Sequence, residues 1–145
     1  MQVPERTLVF GWLCDGGVGE MLVAQVLAGE KWATCGFKRA YTEQELSEVQ
    51  TGAGELHAVC SAQDATPRAI IRVTEVFETP FGSPDPRLVA GEGDGTDAEK
   101  FKRDHRIAWA ADFCDMPLAD EEPLVVELFE LVASLNQGEA MAAGS

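Results

Sequence analysis

Lys31 and Thr34 are the residues whose types and spacing point most directly to chemistry. A hydroxyl needs a base before it attacks a carbonyl, and a nearby lysine supplies an amine for that role. Both residues lie at the junction of an apolar helical stretch, 18–28, and a β-favouring stretch, 32–37. Gly29 suits the position just past the helix end, where left-handed backbone is needed and a missing Cβ removes the penalty. Lys31 then falls in the turn and Thr34 on the new strand. Taken alone, the spacing favours a surface lysine and a strand threonine, because short motifs match often by chance.

The elements that must position this corner follow from periodicity and punctuation. Residues 5–13 form an apolar segment, read as a first strand or an aromatic anchor. Asp15 in Cys14-Asp15-Gly16-Gly17 is a candidate cap. Val18, Met21, Leu22, Gln25 and Val26 then share one helical face. Thr42-Glu43-Gln44-Glu45 reads as a capping box opening a short helix to about Val49. Glu55–Ser61 and Arg68–Glu78 read as strands, the second central because both its faces are apolar over part of its length. Residues 79–97, broken by Pro80, Pro84, Pro86, Gly91, Gly93 and Gly95, read as a long functional loop. Thr96 or Asp97 caps a helix to about Ala111, with Phe101, His105, Ala108, Trp109 and Asp112 on one face. His105 is there read as a packed helix histidine. Leu124–Val132 is a closing strand interrupted by Glu127. This order predicts an α+β fold: a small curled sheet or β-barrel with flanking helices, over residues 5–132, and a flexible tail, 133–145.

Composition narrows the function. The chain has 145 residues and a net charge of −14, which argues against long double-stranded nucleic acid, since phosphate neutralisation drives that affinity. Local basic groups remain: Lys38 with Arg39, Arg68 with Arg72, and Lys100, Lys102, Arg103 and Arg106. No window suits a membrane span and no leader precedes the first strand, so a cytoplasmic monomer is expected. Cys14, Cys35, Cys60 and Cys114 form no C-x-x-C pair, and His57 and His105 are far apart. No metal site and no cofactor are expected from these spacings.

The ordered set of motifs resembles the ASCH domain, part of the PUA-like superfamily. Gly29, Lys31 and Thr34 match its G-x-K-x-x-T signature after an apolar helix. Phe10-Gly11 precedes that helix, and Tyr41 with an acidic segment follows the signature. Pro67-Arg68-Ala69-Ile70-Ile71, Glu92-Gly93-Asp94-Gly95 and Val125-Val126-Glu127-Leu128-Phe129 complete the set, which covers residues 6–132. The resemblance implies a PUA-like β-barrel with helices and a cleft lined by the signature. It also implies action on RNA or modified nucleosides.

On the amidohydrolase pattern of the family, Thr34 is the nucleophile, Lys31 its base and Glu92 the third partner in removing an acyl group from N4-acetylcytidine. Gly29, Trp32, Tyr41, Arg68 and Arg103 are the expected contacts to a nucleoside or short single-stranded RNA. Trp32 stands where the family usually has a small hydroxyl residue, and with Trp12 it offers a stacking wall for a base. Leu128 replaces a frequent arginine. A lysine base must be neutral when the hydroxyl attacks, and an adjacent ionised carboxylate opposes that. The alternatives are a non-catalytic PUA-like module that binds RNA or nucleoside, and a ribonuclease, the latter with Glu92 and Asp94 as metal ligands.

Overall fold

The computed structural model describes residues 3–109 and 118–135. The fold is mixed α+β, as expected. Its strands are β1 (Thr7–Phe10), β2 (Ala33–Phe37), β3 (Leu56–Ser61), β4 (Ala69–Pro80) and β5 (Pro123–Ser134). They form one sheet in the order β1-β3-β4-β5-β2, so β1 and β2 are its end strands. The α-helices among the described residues are α1 (Val18–Leu27), α2 (Glu43–Gln50), α3 (Pro86–Val89) and α4 (Ala98–Trp109). The chain divides into two compact units: residues 1–32, 53–74 and 129–145, and residues 33–52 and 75–128.

In the first unit β1 runs parallel to β3, pairing Thr7 with Ala58 through Phe10 with Ser61. β3 is antiparallel to the start of β4, with Leu56 opposite Arg72 and Val59 opposite Ala69. Val59, Ala69, Ile70 and Ile71 are fully buried, which is why this part of β4 is apolar on both faces. The turn into α1 is held by Asp15, whose carboxylate accepts the N–H groups of Trp12, Gly17 and Gly19 at 3.0, 2.9 and 2.9 Å. Asp15 thereby satisfies donors that a helix start leaves without partners. At the other end Gly29 takes φ 78°, the left-handed conformation the sequence demands there. The N–H groups of Glu30 and Lys31 both donate to the Gln25 carbonyl, folding the chain back along the end of α1.

A second polar device braces the same unit. Arg68 forks onto Glu20, with Nη1–Oε1 2.6 Å and Nη2–Oε2 2.8 Å, and also donates to the Ser61 hydroxyl at 3.1 Å. Ser61 in turn donates to Glu20. The Arg68 guanidinium, and after it the Ser61 hydroxyl, hold the Glu20 carboxyl down to about 2. A depressed carboxylate contributes stability that is present above its ordinary range and lost as pH falls towards the folded value. The wild-type melting temperature should therefore fall between about pH 4.5 and pH 2 partly through this pair. Thermal melts of Glu20→Gln should be lower at neutral pH, because Arg68 loses its anion, and should show a shallower acid slope. Equal slopes for the two proteins would contradict the assignment.

In the second unit β2 and β5 are antiparallel, from Ala33 opposite Leu128 to Phe37 opposite Leu124. The capping box is present as read: Glu45 N–H donates to Thr42 Oγ1 at 3.1 Å and Thr42 N–H to Glu45 Oε1 at 2.8 Å. The segment 79–97 is more ordered than its prolines and glycines suggested. Asp85 caps α3 through the Arg87 N–H, and Pro86 takes the first helical position, where a missing N–H costs nothing. A wide turn, Ala90–Asp94, follows, with Gly93 at φ 92°. Asp97 then caps α4 through the Lys100 N–H at 3.0 Å. The α4 helix packs through Phe101, which is fully buried. Rings close around it: Phe81–Trp109 at 6.3 Å and Phe37–Trp109 at 4.2 Å between centroids. β5 runs to Ser134, so of the expected tail only 136–145 lies outside the described residues, as does the expected end of α4 with Asp112.

Candidate functional site

The helix-to-strand corner places Gly29, Lys31 and Trp32 in the first unit and Thr34 in the second. Lys31 is 3% exposed, and its ammonium lies 5.2 Å from the centroid of the Phe10 ring. Lysine is almost never fully buried, so this is no surface lysine. Trp32 is half-buried, and its carbonyl accepts the Phe129 N–H at 2.9 Å. Arg68, expected as a ligand contact, has its guanidinium engaged with Glu20, Ser61 and the Asp64 and Thr66 carbonyls.

In the second unit, β2 sorts its side chains by alternation: Thr34 and Gly36 to one face, Ala33, Cys35 and Phe37 to the other. Thr34 is half-buried and stands directly opposite Glu127 on β5. A Cβ at Gly36 would meet the Tyr41 hydroxyl at 2.9 Å, so Tyr41 covers this same face. Burial pushes the Glu127 carboxyl up. Burial also raises the Tyr41 phenol to about 12, with Glu127 adding to the effect. Thr34, Tyr41 and Glu127 thus form one polar island on a face that excludes much of the solvent.

The other face of β2 meets a different set. Glu92 on the wide turn and His105 on α4 converge on Cys35, with the three possible donor atoms all within 4.8 Å of one another. His105 Nε2 is 2.9 Å from Glu92 Oε2, and the two side chains are only 16% and 10% exposed. The His105 ring also packs against Phe101 at 4.1 Å and Trp109 at 4.9 Å, so its reading as a packed helix histidine holds alongside its polar contact. Asp94 does not join this group; it pairs with Lys100 at 2.8 Å. Arg103 is exposed at the surface of α4, 4.0 Å from Asp104.

The sequence-level candidates therefore sort by face. Thr34 and Tyr41 share one side of β2, while Glu92 is gathered on the side of Cys35. Sequence reasoning left out Cys35 and Glu127 as site residues. Glu127 carried a signal, a carboxylate inside the apolar run Leu124–Val132. Cys35 carried only its place in the signature segment.

The model of the ASCH domain matches residues 11–133, most of the chain and the whole of this arrangement. The chain belongs to the ASCH domain family. No curated protein matches it. Among solved structures it is similar to a protein from Enterococcus faecalis V583 of the family model DUF984. The two share 21% identity over 96% of this chain and 83% of the other, with a TM-score of 0.77. It is also similar to an ASCH domain from Lactobacillus crispatus JV V101, at 22% identity over 87% of this chain and 79% of that one, with a TM-score of 0.69. These likenesses support the α+β fold of an ASCH domain. Among the described residues, no helix is long and apolar enough to cross a membrane.

Proposed function

We propose that this ASCH domain acts on a nucleoside or short single-stranded RNA, as an amidohydrolase that removes an acyl group from a modified nucleoside such as N4-acetylcytidine. The observation that carries this reading is the burial of the signature lysine, Lys31, at 3% exposure. An ammonium group at the surface keeps its hydration; one withdrawn from water marks a candidate for chemistry. Thr34 is the nucleophile on this reading and Lys31 takes its proton. Glu92 is the third partner carried over from the family pattern, although it stands on the Cys35 side of β2 and not on that of Thr34. The acyl carbon forms an ester to the Thr34 oxygen as its bond to the nucleoside nitrogen breaks, and the amine leaves with a proton. Water then cleaves the ester and regenerates the hydroxyl. Glu127, opposite Thr34 with its carboxyl pushed up by burial, supplies an acid on that face for the leaving amine.

The charge of −14 supports a small substrate over a long polyanion. The test is a panel of N-acylated nucleosides and short RNAs offered to the purified protein. The reading expects free carboxylic acid and amine nucleoside as products, with weak dependence on salt. Binding of RNA that falls steeply with salt, with no product from any acylated nucleoside, would instead establish a binding module.

A further inference from the structure

The contact between Glu92 and His105 poses a question of proton count. His105 Nδ1 lies 2.8 Å from the Phe101 carbonyl, which can only accept, so Nδ1 carries the hydrogen. In a neutral imidazole Nε2 is then bare. Yet Nε2 faces a carboxylate oxygen of Glu92 at 2.9 Å. Two acceptors in contact need a positive centre between them, either a proton or a metal ion. A proton needs only those two groups. The structure adds a third donor, the Cys35 sulfur, with all three donor atoms within 4.8 Å.

We propose that Cys35, Glu92 and His105 form a three-ligand site for a divalent transition-metal ion of the zinc type, with a fourth position open to water or ligand. The donor set of thiolate, imidazole and carboxylate suits a borderline-soft cation rather than magnesium or calcium. The His105 Nδ1–H bond to a backbone carbonyl is the arrangement that fixes the tautomer and orients a metal-bound histidine through its other nitrogen. Three separate elements present the ligands. Cys35 is on the strand β2, Glu92 on the Ala90–Asp94 turn between two glycines, and His105 on α4, its ring backed by Phe101 and Trp109. Metal–sulfur and metal–nitrogen bonds of about 2.3 and 2.0 Å separate those two donors by about 3.5 Å at a tetrahedral angle, so binding draws the sulfur in while the 2.9 Å Glu92–His105 contact opens slightly. The ligands are far apart in the chain, which is why no spacing motif announces them. The proposal stands apart from the amidohydrolase reading and shares only Glu92 with it.

The experiment is titration of the metal-free full chain with cobalt(II), followed by zinc(II), read by absorption and calorimetry. A thiolate-to-cobalt charge-transfer band with a stoichiometry of one ion per chain, abolished by added zinc, is expected. Cys35→Ser should remove the band. His105→Asn should weaken zinc binding by more than the roughly 10–100-fold that loss of a supporting partner gives. Cys14→Ser, which removes an exposed thiol, should leave the band intact. Absence of the band in the wild-type protein would overturn the proposal without reference to any variant. So would a band that survives Cys35→Ser, or zinc affinity unchanged in His105→Asn; the Glu92–His105 contact is then a proton-bridged pair. None of these readouts depends on acyl-nucleoside turnover, so failure here and failure of the hydrolase reading are told apart.

Discussion

Lys31→Met is expected to lower the rate of acyl release by about 100-fold or more, the range that a positioned general base contributes, while the protein still melts cooperatively. Methionine keeps the length and most of the volume of lysine, so the packing around Phe10 changes little. A structural lysine would give the opposite pattern, a lower melting temperature with the rate preserved. Lys31→Ala should show the same rate loss with an added penalty of about 2 kcal/mol from the vacated volume. The measurement is turnover of an N-acylated nucleoside set beside a thermal melt for each variant. A wild-type rate in either one would remove Lys31 from the mechanism.

Gly11→Ala is expected to cost about 3 kcal/mol of stability, or roughly 10 °C in Tm. Gly11 adopts φ 80°, where any Cβ is strained. Its Cβ would also fall 2.2 Å from the Asp15 carboxylate and 2.6 Å from the Gly19 Cα. The obstruction is not the far end of a flexible side chain. That carboxylate holds the turn into α1 through the N–H groups of Trp12, Gly17 and Gly19, and the rest is backbone. Gly16→Ala separates the two contributions. Gly16 has φ 72° but nothing within 4 Å of a Cβ, so it should lose only the backbone part, about 1 kcal/mol. Equal losses at Gly11 and Gly16 in denaturant melts would show that close packing of β1 on α1 contributes nothing.

Local chemistry made much of the fold legible. Gly29 past the end of α1 and the Thr42–Glu45 box each obey rules that act within a few residues. β4 was visible because burial on both faces leaves a run of apolar residues. α3 was hidden among the punctuation of 79–97, although Asp85-Pro86 is a start signal; proline is welcome at a first helical position and was read only as a breaker. The candidate residues Lys31 and Thr34 stand out in the sequence through the family signature. Alternation along β2 assigns Thr34 to the face of Glu127 and Cys35 to that of Glu92, but which residues wait there is set by the register of β5 and the docking of α4. Those are tertiary facts, and no window of the sequence contains them.

The central claim is that the Thr34 hydroxyl attacks the acyl group, and the most direct measurement of it compares wild type with Thr34→Val for amine-nucleoside release from N4-acetylcytidine. Valine keeps the β-branched shape and suits the strand, so nucleoside affinity and melting temperature should stay close to wild type. The account predicts product from the wild type and none above background from the variant. Release at the wild-type rate by Thr34→Val would contradict it.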